Sequence, residues 1–150
     1  MFLRMQESIM KMGPCGGNGG GGRDMDPRSV DRIVGVIIHH GDTIDSVSVI
    51  YEDNGLEQQT GKWGGGGGGR SEIRLGTNEY FTGVQGHVGQ FEGNTVVRSL
   101  TFASNLLSFG PYGREEGTPF TLPAAGGKIV GFHARSGIYL DAFGTYVKKD

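Results

Sequence analysis

The chain reads as an all-β domain built from three related units, and three observations carry that reading. Apolar and polar residues alternate at period two in short runs after residue 12, the signature of half-buried strands. Glycine and Asn-Gly turn signals separate those runs. One turn pattern also recurs. Gly41-Asp42-Thr43-Ile44-Asp45-Ser46 and Gly137-Ile138-Tyr139-Leu140-Asp141-Ala142 both read glycine, two variable residues, Ile or Leu, aspartate, small residue. A third copy, Gly93-Asn94-Thr95-Val96-Val97, keeps the glycine and the following strand but has valine in place of the aspartate. Repetition of this kind fixes an architecture before any single residue is interpreted.

The alternation predicts strands over Val30–His39, Ser46–Glu52, Leu56–Thr60, Ser71–Leu75, Tyr80–His87, Val96–Ser104, Leu106–Phe109, Thr118–Leu122, Lys128–Ala134 and Ala142–Lys148. Asn54-Gly55 suits a two-residue type I′ hairpin turn, whose central positions both need positive φ. Met1–Met12, whose apolar residues are broken by Arg4, Gln6, Glu7 and Ser8, reads as a poorly ordered extension ahead of a domain spanning 13–150. It is too interrupted for the apolar core of a signal peptide and too short to span a bilayer.

Glycine-rich loops follow a matching order. Lys62-Trp63-Gly64 through Gly69 comes after the first Gly-x-x-x-Asp turn, and Phe109-Gly110-Pro111-Tyr112-Gly113 comes after the aspartate-less turn. The last turn, at Gly137, has no loop after it, while the loop Gly13-Pro14-Cys15-Gly16-Gly17-Asn18-Gly19-Gly20 has no turn before it. Closing the chain would bring those two together. The expected architecture is therefore three four-stranded antiparallel sheets related by approximate three-fold symmetry, with the first and last strands in one sheet.

Composition narrows the function classes. A chain of 150 residues suits one domain and can bury roughly two-thirds of its unfolded surface. A net charge of −2 supplies no basic field for nucleic acid or an anionic membrane. The single cysteine, Cys15, excludes an internal disulfide and fits a reducing compartment, so the cytoplasm or nucleus is expected. Gly126-Gly127-Lys128 lacks the Ser or Thr and the helix of a phosphate loop. His39 and His40 point to opposite faces of one strand, which argues against a metal site. No Gly-x-Ser-x-Gly elbow is present, and Asp45 and Asp141 lie on different units, too far apart for an acid pair cleaving glycosidic bonds. We therefore expect no enzyme, cofactor or metal. Trp63, Phe109, Tyr112 and Phe132 are expected in the core or capping a sheet. Asp24, Asp26 and Asp31 with Arg23, Arg28 and Arg32 read as a solvated, mixed-charge strand edge.

Two aspartate turns beside two glycine loops carry chemistry. A lone aspartate here would cap its own turn. Two copies facing glycine-rich backbone instead offer a carboxylate that accepts two hydroxyl hydrogen bonds, with N–H donors close by. Vicinal sugar hydroxyls fit that arrangement.

The stretches Gly13–Gly20, Val97-Arg98-Ser99-Leu100-Thr101-Phe102, Phe109–Gly113 and Ile129-Val130-Gly131-Phe132-His133-Ala134-Arg135-Ser136-Gly137 through Ala142 resemble the jacalin-related lectins across Gly13 to Lys148. The wording of Phe109–Phe120 is similar to lectin domains of grass proteins, some of them fused to a dirigent domain. The resemblance implies a β-prism of Greek-key sheets and reversible carbohydrate binding without catalysis. It implies homodimers, and glycans or glycoproteins carrying mannose or glucose as partners. Carried over by motif, Gly17, Ile138 and Tyr139 donate backbone N–H groups, and Asp141 accepts from the sugar 4- and 6-hydroxyls. The galactose branch is cut to free an amino terminus at the first glycine loop. Here Met1–Met12 precede that loop, which favours mannose or glucose. Gly41, Asp42, Thr43 and Asp45 with Gly65 and Gly66 form an expected second site. Ile138 and Cys15 depart from the family pattern, which often has aspartate and tryptophan there. The alternative implied is an interaction module of the β-glucosidase-aggregating type, with weak or galactose-type sugar binding; a role in plant defence would suit either.

Overall fold

The computed structural model describes residues 8–149. Its strands are β1 (Ile9–Gly16), β2 (Gly21–Asp24), β3 (Arg32–His40), β4 (Ile44–Asp53), β5 (Leu56–Gln59), β6 (Trp63–Gly64), β7 (Gly69–Arg74), β8 (Phe81–Phe91), β9 (Asn94–Ser104), β10 (Ser108–Gly113), β11 (Thr118–Pro123), β12 (Lys128–Ser136) and β13 (Leu140–Lys148). They form three antiparallel sheets, ordered β1-β13-β12-β2, β5-β4-β3-β7 and β10-β9-β8-β11, with β6 paired to β4. Each sheet is a Greek key centred on one hairpin: β12–β13, β3–β4 or β8–β9. The first is stitched from both ends of the chain, as the unpaired loop and turn required. β5 and β6 together occupy the place held by one bulged strand, β1 or β10, in the other sheets. The expected four-strand plan therefore holds, with one outer strand broken around Gly61.

The core lies where the inner faces of the sheets meet. Phe81, Phe102, Phe132 and Phe143 are fully buried there, with ring centroids 5.2–6.1 Å apart, spacings that aromatic pairs favour. Trp63 is buried in the same cluster, and Phe109 and Tyr112 pack against it, as expected of all these aromatics. Asn54 and Gly55 have φ of 51° and 77° between the paired residues Asp53 and Leu56, the expected hairpin geometry.

The sequence reading needs correction at the edges. Ile9–Met12, placed in the extension, belongs to β1 and pairs with Thr145–Lys148 of β13; residues 1–7 lie outside the described residues. Met12 and Cys15, three residues apart, both pack against the core, because the register slips between them. A period-two search misses such a strand. β2 is exposed throughout and carries no apolar residue, so its pairing with β12 leaves no hydrophobic signal. The charged edge is more committed than expected. Arg23 Nε donates to Ser136 Oγ at 2.9 Å, and Asp24 accepts from the Tyr146 hydroxyl at 2.5 Å. Burial and that carboxylate push the Tyr146 hydroxyl up to about 12. Leu106 and Leu107 are exposed turn residues, their N–H groups held by Ser104 Oγ, and the strand starts at Ser108.

Replacing Phe132 with alanine removes a ring stacked on Phe143 and should cost about 3–5 kcal/mol. Urea unfolding followed by tryptophan fluorescence checks this; a loss below 1 kcal/mol (roughly a surface substitution) would contradict the assigned core.

Candidate functional site

Register identifies equivalent positions in the three hairpins. Arg135 pairs with Ala142, His39 with Ser46, and His87 with Ser99, each beside a slip in register. The residues just before Ala142, Ser46 and Ser99 are Asp141, Asp45 and Arg98. The third position is thus held by arginine, not by the valine that sequence alignment of the turns suggests. The reason is length. β8 and β9 continue pairing through Phe91 and Asn94, so Gly93 lies farther out than Gly41 and Gly137 do.

Each of these residues is gripped from the facing loop by a backbone bond. The Gly17 N–H donates to the Asp141 carbonyl at 2.8 Å, Gly65 to Asp45 at 3.0 Å, and Arg114 to Arg98 at 2.9 Å. The N–H of Gly17, expected to face a ligand, is therefore committed inside the protein, and so is that of Gly65. The close approach also explains why these positions are glycine. A Cβ on Gly17 would sit 2.3 Å from the Thr95 carbonyl oxygen, and one on Gly65 2.3 Å from that of Ile138.

The carboxylates face the second glycine pair of each loop. A Cβ on Gly19 or Gly20 would lie 2.7 Å from an Asp141 carboxylate oxygen, and one on Gly67 or Gly68 within 2.8 Å of an Asp45 oxygen. Gly20 and Gly68 also have φ of +67° and +77°, where a side chain is strained. Any larger residue would fill the space in front of the carboxylate. The expected Gly66 has nothing within 4 Å of its Cβ position and stands at the open tip. The signal was present in the sequence. Cys15–Gly20 and Trp63–Gly68 share two glycine pairs separated by one residue, the first pair serving the grip and the second the opening.

The Asp141 site is pinned further by Arg135, whose Nε and Nη2 donate to the carbonyls of Gly19 at 3.1 Å and Gly20 at 2.7 Å. In the turn, the Gly137 N–H donates to the Tyr139 carbonyl at 3.1 Å. Ile138 is 75 % exposed, and its N–H meets no acceptor among the described residues. The Tyr139 hydroxyl donates to Glu92 Oε2 at 2.8 Å, with its ring against Phe91, so this side chain leans on the neighbouring hairpin.

In the Asp45 turn, Gly41 donates to the Thr43 carbonyl at 3.0 Å. Thr43 is buried and donates through Oγ1 to the Val97 carbonyl, while Asp42 is paired with Arg114 at 3.1 Å. Thr43 and Asp42 thus turn their side chains toward the third unit. Their carbonyls are taken by Gly41 and Arg98 respectively, which leaves their N–H groups as the backbone the turn can offer.

The third unit has no such opening. Arg98, 7 % exposed, pairs with Glu116 Oε2 at 3.2 Å, and Glu116 stands where Gly19 and Gly67 stand in the other loops. The guanidinium also donates to the carbonyls of Gln90 at 2.9 Å and Asp42 at 3.1 Å. Its own side chains close the space and brace the second turn. Among the described residues no cluster of His, Cys, Asp or Glu could hold a metal ion.

Burial raises both the Asp141 and Asp45 carboxyls above the usual carboxylate range. For Asp141, bonds from the Gly137 and Asp141 backbone and the Arg135 charge pull the other way; for Asp45, His39 and His40 do. A carboxyl raised on folding costs stability when ionised. That cost is absent below its unfolded pKa and complete above its folded pKa. The Asp45→Asn/Asp141→Asn double variant should therefore gain stability relative to the parent as pH rises through that window. Urea titrations between pH 3 and pH 7 measure it, and a difference independent of pH would contradict the assignment.

Comparison with known proteins agrees with this geometry. The family model for the jacalin-like lectin domain matches residues 12–146. Jacalin-related lectin 19 of Arabidopsis thaliana is 44 % identical over 142 residues, which cover 92 % of this chain and 80 % of the relative. Wild-type Malaysian banana lectin superposes with a TM-score of 0.89 at 40 % identity, covering 95 % of this chain and 100 % of its own. Artocarpin in complex with mannotriose gives 0.83 at 39 % identity, with 95 % and 97 % covered. A three-sheet prism with carboxylate turns facing glycine loops, matched by family and structure, places this chain among the jacalin-related lectins, a family of non-enzymatic carbohydrate-binding proteins.

Proposed function

We propose that the protein binds mannose- and glucose-type sugars reversibly at two sites, one at Asp141 and one at Asp45. The observation that carries this reading is the duplicated pairing of a buried carboxylate with a side-chain-free glycine pair. At the first site Asp141 accepts from the sugar 4- and 6-hydroxyls, Ile138 and Tyr139 donate through their backbone N–H groups, and Gly20 replaces Gly17 as the loop residue against the sugar. At the second, Asp45 takes the accepting role, Asp42 and Thr43 supply backbone from the turn, and Gly68 faces them. The solved complex of artocarpin with mannotriose supports the choice of sugar.

Charge-assisted hydrogen bonds to a carboxylate contribute about 1.5–3 kcal/mol each, and few of them compete here against water. A single site should therefore bind methyl α-mannoside with a Kd on the order of millimolar. Two sites on one chain would then supply avidity toward branched glycans.

Amide chemical shifts under methyl α-mannoside should move in both turns, 137–141 and 41–45. Asp141→Ala should silence the first set and spare the second, and Asp45→Ala the reverse. Retained shifts at 137–141 in Asp141→Ala would refute the site assignment. Silence with both mannoside and galactoside on folded protein would move the reading to a protein-interaction module.

A further inference from the structure

A cavity of about 370 Å³ opens at the end of the prism away from the two carboxylate turns. It is lined by Val30–Ile33, where β3 begins, Thr77–Tyr80 before β8, and Lys128–Val130 at the start of β12. The turns follow the opposite ends of β3 and β12, each nine residues long. Strand rise alone puts them about 25–30 Å away. The volume lies in the range of small-molecule sites.

Most charges around this cavity are committed. Arg32 donates to Glu52 Oε1 at 2.9 Å and to the Gly76 carbonyl at 2.8 Å. Glu79 accepts from the Gly76 N–H at 2.9 Å and from Ser104 Oγ at 2.6 Å. Asp31 accepts from the Asn54 N–H at 2.8 Å. Lys128 differs. Its Nζ lies 4.4 Å from the centroid of the Tyr80 ring and has no carboxylate partner among the described residues. An ammonium resting on a ring face keeps donors directed away from the ring. Buried Ile33 and Ile129 supply apolar wall beside it.

We propose that this cavity binds a small amphipathic monoanion, an aryl carboxylate, with its carboxylate on Lys128 Nζ and its ring against Tyr80, Ile33 and Ile129. The site is separate from the sugar turns and does not depend on their reading. One uncommitted cation selects a single negative charge, and the mixed lining selects a compact apolar body.

The test uses 2-naphthoate and its uncharged analogue 2-naphthamide, followed by amide chemical shifts on the full chain. Naphthoate should saturably shift residues 77–80 and 128–130, with or without excess methyl α-mannoside. It should bind about ten-fold tighter than the amide, the weight of one charge-assisted hydrogen bond. Lys128→Met should remove that advantage while leaving the naphthamide affinity and the remaining spectrum unchanged; Lys128→Arg should retain it. No saturable shifts at these residues, equal affinity for acid and amide, or indifference to Lys128→Met would each overturn the proposal. Should Lys128→Met fail to fold, the acid–amide comparison on the parent chain decides alone.

Discussion

The backbone bond from each loop to the carbonyl beside the register slip of each central hairpin is the constraint on which the rest of the structure depends. It occurs once per sheet, from Gly17 to Asp141, Gly65 to Asp45 and Arg114 to Arg98. It brings main chain so close to main chain that two of its donors must be glycine. It also sets the distance at which the next residues of the loop pass the side chain at that position. Where that side chain is aspartate and the loop continues with two glycines, an opening remains. Where it is arginine and the loop supplies Glu116, the same backbone frame closes on an ion pair. One scaffold thus yields two open positions and one closed one, through side-chain choice and the longer β8–β9 hairpin, whose Gln90 carbonyl also holds Arg98.

The three positions do not stand independently. Gly17 abuts the Thr95 carbonyl of the third hairpin, Gly65 abuts Ile138 of the first, and Arg98 holds the Asp42 carbonyl of the second. Each loop leans on the turn of another unit, so the contacts run in a ring. The closed third unit contributes to the second through this ring although it presents no opening of its own. Arg98 is the residue through which it does so, and its guanidinium, laid over the Phe91 ring, is fixed from both sides. Burying a guanidinium with several carbonyl partners and a carboxylate is the arrangement that keeps such a charge tolerable away from water.

Much of this was legible in the sequence because the repeat carried it. The sheet plan, the chain ends meeting in one sheet and the aspartate turns all followed from two Gly-x-x-x-Asp motifs and the order of the glycine loops. What escaped had physical reasons. β1 slips register, so its inward residues Met12 and Cys15 stand three apart, and β2 buries nothing. The place of Arg98 depends on how far the β8–β9 hairpin extends, and local turn residues do not encode that. Gly17 and Gly20 look alike as letters. Only the tertiary approach decides that the former grips the frame and the latter faces the carboxylate.

The seam between β1 and β13 has a consequence for how the molecule is made. Ile9 pairs with Lys148 and Gly16 with Ala142, contacts separated by nearly the whole described chain. His133 reinforces the seam, since its Nε2–H donates to the Met12 carbonyl at 2.8 Å across the intervening strand. The sheets centred on β3–β4 and β8–β9 are each local in sequence and can form as the ribosome delivers them. The remaining sheet has no counterpart for its first strand until the last one emerges. During synthesis β1 must wait with its hydrogen-bonding edge unsatisfied, and closing so long a loop is slow. Lys11 puts a charge on that waiting strand and Pro14 removes one of its N–H donors, which limits its tendency to pair with a neighbour on another nascent chain.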